Sequence, residues 1–483
     1  MFTISERIKN LKESPIVTFG ALASKYNGVV SLNSGSPGHG TIPGVQEAIH
    51  QVSAKEISTY RTPHYGSLKG RKDAAQYFLQ RYGLEFDPHR EINLTSGFTH
   101  LFHCLCTTII NPGDTALFIE PFFPQYEQPF ALAGGKMVTI PTQEQDKWKP
   151  QPEAIKTAFS NYPDAKMIVF NYPNNPSGAT LTLEDWNGII DILIEEISRR
   201  KQLQISPPLV LIDEAYVPLF HHGEVNEHPT FGLTLHKRLQ SAEASEMASL
   251  HQLMESVLIA CTLSKQGNGG TLLGLGASKN VKLLEAMRIP QKATVINSNA
   301  MGEVALSAVI ERDPQQTIQW AGSLYESRLN QLAEGLNTIF EKHGITNSGG
   351  TGQKPASFVP QAGMYLYANF SHFKGCQVTT DFLERLRVLA EGKLNLESLY
   401  LQNQINSSLE VALWLLVEAK VSTVPIGRQE DCYLRFSVGL PQAVVETSAK
   451  TIDRQKTEEN GKSLISQALL QIEQALPKLI NLI

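Results

Sequence analysis

Polar residues with chemical potential close three successive strand-like runs. Met167–Phe170 leads into Asn171-Tyr-Pro-Asn-Asn175-Pro-Ser-Gly178, Leu209–Ile212 into Asp213-Glu-Ala-Tyr216, and Val257–Leu263 into Ser264-Lys265. In an α/β sheet, ligands gather at the carboxyl ends of the strands. An amine there can act as a nucleophile or move a proton, and an acid can face a ligand cation. Each residue also has a plainer reading. Asn-Pro and Pro-Ser-Gly mark turns, an acid after a strand can cap the next helix, and a lone lysine can snorkel to solvent. Taken together they are harder to dismiss, because lysine is rarely buried unless it is paired or reactive.

The full series runs in order along most of the chain. It comprises Asn33-Ser-Gly35-Ser-Pro37, Asn175-Pro-Ser-Gly178, Asp213-x-x-Tyr216, Ser264-Lys265 and a late Arg435 in Tyr433-Leu-Arg-Phe-Ser437. This resembles the pyridoxal-phosphate-dependent aminotransferases of class I/II, with the aspartate-aminotransferase-like fold (fold type I). The resemblance implies an amino-group transfer between an amino acid and a 2-oxo acid, with pyridoxal 5'-phosphate as cofactor. Lyases, decarboxylases and cyclases share the fold and its lysine, and a non-catalytic descendant is a further alternative.

The resemblance also assigns roles residue by residue. Lys265, Asp213 and Tyr216 match the catalytic positions. Lys265 is the amine that forms a Schiff base with the cofactor aldehyde and then carries a proton. Asp213 keeps the ring nitrogen protonated. Asn175 and Tyr216 match residues that hydrogen-bond the phenolic oxygen. Phe123, in Pro121-Phe-Phe123-Pro-Gln-Tyr126, takes the place of the ring-stacking aromatic. Gly97, Phe98 and Thr99, in Thr95-Ser-Gly97-Phe98-Thr99, open a helix whose amide groups suit a phosphate, and Thr262 and Ser264 could add hydroxyls. Arg435, Gly35 and Asn175 are implied for the substrate carboxylate, with the planar guanidinium suited to bidentate pairing. Tyr60, six residues before Gly66, resembles a tyrosine that reaches the phosphate of a partner subunit, which implies a homodimer; Tyr65 is a rival for that role.

One departure stands out. Relatives carry an arginine a few residues after the Ser-Lys pair, and it binds the phosphate. The corresponding residues here are Thr271, Leu272 and Leu273, with no Arg or Lys between Gln266 and Ser278. A charge-assisted contact is missing, and Lys279 is near only in sequence.

The elements that must position these residues are legible in outline. Apolar runs at Ala116–Ile119, Met167–Phe170, Leu209–Ile212 and Val257–Cys261 suit strands buried on both faces of a mostly parallel sheet. Leu183, Trp186, Ile189, Ile190, Leu193, Ile194 and Ile197 have the spacing of an amphipathic helix, and Thr182 with Asp185 forms a capping box. Residues 221–256 read as an inserted loop plus one Ala/Ser-rich helix, and 303–342 as one long hinge helix. Met364–Phe370 and Tyr433–Ser437 read as strands and Ser463–Leu476 as a closing helix, with 345–356 and 452–462 polar and exposed. The expected fold is α/β: a large domain (46–320) with a mostly parallel sheet flanked by helices, a smaller α+β domain (321–483), and an N-terminal arm (1–45) packing on the latter.

Composition narrows the function classes. The 483 residues carry 42 Lys+Arg against 47 Asp+Glu, a net charge of −5, and no basic block. That argues against nucleic acid as a partner. No signal-like segment and no long apolar run appears, so no membrane is expected. Five cysteines are odd and sparse, which fits the cytoplasm. His100, His103, Cys104 and Cys106 share one predicted helix without a matching further ligand, so no metal is expected. The glycines of 267–276 lack the Gly-x-Gly-x-x-Gly spacing of a dinucleotide-binding loop.

Overall fold

The computed structural model describes residues 3–9, 11, 13–42, 44–53, 62–222, 228–267, 269–311, 315–345, 354–390, 404–440 and 454–480. By internal contacts the chain divides into two compact units. The first comprises 1–12, 40–174 and 179–322, the second 13–39, 175–178 and 323–483. The short turn 175–178 therefore belongs to the second unit, although the chain around it belongs to the first.

The first strand of the second unit is β1 (Val30–Ser31), which follows a helix at Pro15–Ala23. The first unit is built on a sheet of β2 (Ile92–Thr95), β3 (Thr115–Glu120), β4 (Lys136–Pro141), β5 (Met167–Asn171), β6 (Leu209–Asp213), β7 (Val257–Thr262) and β8 (Gly274–Ala277). Their order is β2-β8-β7-β6-β5-β3-β4. Strands β4, β3, β5, β6 and β7 are mutually parallel. Strand β8 runs antiparallel to both β7 and β2. Two reversals restore direction, so β2 points the same way as the parallel set. The ends of β2, β3, β5, β6 and β7 and the start of β8 consequently lie along one edge of the sheet. All residues of β5, β6 and β7 are buried, as expected of strands covered on both faces.

Helices α1 (Leu68–Tyr82), α2 (Phe98–Ile109) and α3 (Leu183–Gln202) belong to this unit. The capping box is present in α3: the Thr182 hydroxyl accepts from the Asp185 amide at 3.1 Å, and the Asp185 carboxylate accepts from the Thr182 amide at 2.7 Å. One core cluster joins Leu101, Phe102 and Leu105 of α2 to Phe118, Val169, Leu211 and Leu258 of the sheet.

Two sequence expectations need correction. Residues 221–256 hold two helices rather than one, α4 (Phe231–Ser241) and α5 (Ala244–Ser256). The first is capped by Thr230, whose hydroxyl accepts from Leu233 N at 3.1 Å. Each buries only a few apolar residues, so periodicity was weak. After α6 (Val281–Thr294), the expected hinge helix is α7 (Ala300–Glu311) followed by α8 (Gln315–Lys342). Residues 312–314 between them lie outside the described residues.

The boundary between the units falls within α8, after Gly322. The second unit then holds β9 (Tyr365–Asn369), β10 (Val421–Ser422), β11 (Val424–Pro425) and β12 (Tyr433–Ser437). Strands β11, β12 and β9 form an antiparallel sheet, and β1 pairs in parallel with β10. Helix α9 spans Arg454–Ala475, so the closing helix expected at Ser463–Leu476 starts earlier and takes in most of the polar, largely exposed stretch 452–462. Its charges pair along the helix, as in Lys462–Glu458 at 2.7 Å. Its buried side meets Arg328, which donates to Thr457 O at 2.6 Å. A polar helix face looks like a loop when only the sequence is read.

Candidate active site

In the first unit, the expected residues converge on the sheet edge. Asn171 and Asp213 are register partners at the ends of β5 and β6. The Asn171 amide donates to Asp213 O at 3.0 Å. Asp213 is 2% exposed. Its Oδ2 accepts the Tyr126 hydroxyl at 2.5 Å and its Oδ1 accepts Ala215 N at 3.1 Å. Burial pushes the Asp213 carboxyl up to about 6, opposed by those two hydrogen bonds and by the charge of Lys265. Tyr126 is held rigidly. Its ring lies 5.0 Å from Phe102, 5.5 Å from Phe123 and 5.9 Å from Phe118. Sequence reading quoted Tyr126 only as part of a motif, because nothing local shows where its hydroxyl points.

Lys265 closes a 3-10 turn, Leu263–Lys265, that follows β7. Its Nζ lies 5.6 Å from the centre of the buried Tyr216 ring. The turn is pinned to the residue just before β8 through Leu263 N, which donates to Leu273 O at 3.1 Å. The Thr262 hydroxyl stands 3.0 Å from Leu273 O and accepts Ser264 N at 3.2 Å. Thr262 therefore spends its hydrogen-bonding capacity on the turn that carries the lysine. Ser264 is half-buried beside it.

Gly97 caps α2 with φ 81°, a conformation that favours glycine. The amides of Phe98 and Thr99 open the helix, where an anion could sit. Gly274 is required by close approach, since a Cβ there would stand 2.5 Å from Thr95 Oγ1 and 2.6 Å from Gly97. The same crowding places Leu272 beside the cradle: a Cβ on Gly97 would lie 3.8 Å from Leu272 O and 4.0 Å from its Cδ2. Leu272 is 54% exposed, whereas Leu273 is buried. His100 is engaged in local structure, with Nδ1 accepting Ser96 N at 3.2 Å and Nε2 2.8 Å from Thr294 Oγ1.

The second unit gathers the other expected residues. Arg435 is 0% exposed. Its Nη1 donates to Asn175 Oδ1 at 3.1 Å and its Nη2 to Asn33 O at 2.7 Å. The guanidinium carbon sits 4.3 Å from the Tyr365 ring centre, a cation–π contact that fixes its plane. The buried Arg435 Nε has no hydrogen-bond partner among the described residues. The segment holding Gly35 is clamped at both ends. Ser437 N donates to Leu32 O at 2.7 Å, and the Tyr325 hydroxyl accepts Gly38 N at 3.0 Å. Tyr365 and Tyr325 carry no sequence signal, and Asn33 stands in the sequence only as part of the Asn33–Pro37 motif, since no motif marks a backbone carbonyl or a distant ring. Tyr60 lies outside the described residues. Tyr65 is wedged between Arg71 and Arg288, with guanidinium carbons 4.5 and 4.1 Å from its ring centre.

The architecture is that of the aspartate aminotransferases. The Thermus thermophilus aspartate aminotransferase with maleate superposes with a TM-score of 0.71, covering 98% of this chain and 100% of that one at 20% identity. The chain belongs to the aminotransferase class I and II family, whose sequence description matches residues 27–452. Among curated relatives, the LL-diaminopimelate aminotransferase of Halothermothrix orenii is 35% identical over 39% of this chain and 49% of its own length. The aromatic-amino-acid aminotransferase 2 of Thermococcus litoralis is 27% identical over 46% of this chain and 54% of its own length. In these alignments the chain spans about half the length of the curated relatives it matches. The family is one that uses pyridoxal phosphate.

Proposed function

We propose that this chain is a pyridoxal-phosphate-dependent aminotransferase that moves an amino group between an amino acid and a 2-oxo acid. The observation that carries the reading is Asp213. A carboxyl buried at the strand edge, pushed up to about 6 and held by two neutral donors, is an acid in want of a cation. A protonated ring nitrogen supplies one, and the residues present fit the cofactor in this respect. When bound, pyridoxal phosphate supplies an aldehyde carbon and an electron-withdrawing ring.

The chain's own residues do the rest. Asp213 holds the proton on the ring nitrogen, and Tyr126 holds Asp213. Lys265 Nζ would hold the cofactor by its aldehyde and, when free, could carry the substrate Cα proton. Tyr216 and Asn175 would hold the cofactor's phenolic oxygen, and Phe123 would cover its ring, as the resemblance implies. Arg435 orients the α-carboxylate, with Gly35 alongside. The orphaned Arg435 Nε is consistent with a guanidinium that expects a further acceptor. Phe98 and Thr99 would offer backbone amides to the phosphate, with Gly97, whose own amide donates to Thr95 O at 2.9 Å, setting the turn, and Ser264 and Thr262, beside Lys265 in sequence, as candidate hydroxyl donors.

The active unit in this reading is a homodimer in the cytoplasm. Five buried, free cysteines support a reducing compartment. Leu272 in place of a phosphate-binding arginine favours a second reading, a descendant that holds the cofactor weakly or not at all.

Mixing purified protein with pyridoxal phosphate separates the two. The first reading expects a visible absorption band that disappears in Lys265→Ala and changes on adding an amino acid. No band, or a band indifferent to Lys265→Ala, would overturn it. A screen of amino acids by that spectral change identifies the donor.

A further inference from the structure

The lysine-bearing turn is tied down at its entrance and leads at its exit into a glycine-rich sequence. Leu263 N and the Thr262 hydroxyl tie the entrance to Leu273, the residue just before β8. After Lys265 the sequence runs Gln266-Gly-Asn-Gly-Gly270. Gly267 has φ 77° and Gly270 is exposed. Glycines have the largest conformational freedom to lose and give the least hold on a preceding residue.

What fixes the exit is a side chain. Gln266 is 1% exposed, and its Nε2 donates to the Tyr77 hydroxyl of α1 at 3.1 Å. Gln266 N also closes the turn onto Leu263 O at 3.0 Å. Tyr77 is itself immobilised, being 4% exposed with the Arg81 guanidinium carbon 5.5 Å from its ring centre. Burial pushes its hydroxyl up to about 12, so it stays neutral. The same helix meets the next strand-end residue as well: Tyr82 OH is 3.2 Å from Cys261 Sγ, beside Thr262.

We propose that Tyr77, acting through Gln266, is the positioning residue for Lys265, so that α1 sets where the lysine amine stands. The proposal rests on the reading of Lys265 as the cofactor-linking amine. Lysine has a four-carbon stem with many rotamers, so its useful placement depends on how firmly its backbone is held. Small misplacements of a reacting group cost large factors in rate.

The test compares wild type with Tyr77→Phe, Gln266→Leu, their double variant and Tyr82→Phe. Each is loaded with pyridoxal phosphate, and the pH midpoint of the cofactor's visible band is recorded along with kcat, KM and thermal unfolding. Tyr77→Phe and Gln266→Leu are each expected to lower kcat roughly tenfold with little change in KM. Each moves the spectral midpoint by about half a pH unit. The double variant is no worse than either single, because both remove one bond. Tyr82→Phe, which loses a buried hydroxyl from the same helix, lowers thermal stability and leaves the midpoint in place. An unchanged midpoint and kcat in both Tyr77→Phe and Gln266→Leu overturns the proposal, as does an equal shift in Tyr82→Phe. A wild-type protein that forms no band sinks the reading of Lys265 itself, which is a different failure. Should Gln266→Leu not fold, Tyr77→Phe alone carries the comparison, since it removes a single oxygen.

Discussion

Replacing Asp213 by Asn is expected to stabilise the cofactor-free protein at neutral and higher pH while impairing the site. In the folded chain the carboxyl is raised from an ordinary 3.8 to about 6, mainly by burial. That rise corresponds to about 3 kcal/mol of cost carried by the ionised form. The sign follows from proton linkage. The folded chain holds this proton more tightly than the unfolded chain, so the group favours folding below about pH 4. That contribution is lost as pH rises through the folded value near 6. Asparagine mimics the neutral carboxyl and cannot ionise. The difference in stability between Asp213→Asn and wild type should therefore grow by about 2.5 kcal/mol in favour of the variant between about pH 4 and 8. Relaxation of the neighbouring Glu214, which burial pushes up to about 7 and which the Asp213 charge raises further, adds in the same direction. Urea unfolding of both cofactor-free proteins at several pH values measures the effect. The same variant should retain pyridoxal phosphate poorly on dialysis. Parallel pH profiles for the two proteins would refute the claim that burial strains Asp213 and that a ligand cation relieves it.

Two further outcomes follow from the same geometry. Leu272→Arg should slow the loss of pyridoxal phosphate on dialysis, by about tenfold, because residue 272 lies beside Gly97 and a charge-assisted contact adds about 1.5 kcal/mol or more; an unchanged off-rate counts against the phosphate cradle at Gly97–Thr99. Arg435→Lys should raise the KM for the amino donor by about tenfold or more, with a smaller effect on thermal stability; steady-state kinetics with a series of donors would show it, and an unaltered KM would remove Arg435 from carboxylate binding.

Much of this protein is readable from its residues in order. Apolar runs such as Leu209–Ile212 declare buried strands because only continuous hydrophobicity survives with helices on both faces. Asn175, Asp213 and Lys265 declare themselves by standing at strand ends, and Arg435 by matching the late arginine of a familiar series. What failed to show were features whose signal is weak or spread out. The start of α9 is charged enough to pass for a loop, and α4 and α5 each bury too few apolar residues to impose a period.

The tertiary structure decided the rest, because it alone brings distant atoms within bonding distance. Tyr126 and Asp213 are 87 residues apart and share a 2.5 Å hydrogen bond. Gln266 and Tyr77 are 189 apart, and Arg435 reaches Asn33 across 402. Residues 272 and 273 are both leucine, yet folding exposes one beside Gly97 and buries the other. The sequence thus determined which chemical groups exist and which strand ends carry them. Only the fold determined the partners that hold each group in place, since hydrogen bonds and desolvation act over ångströms in space and are indifferent to separation along the chain.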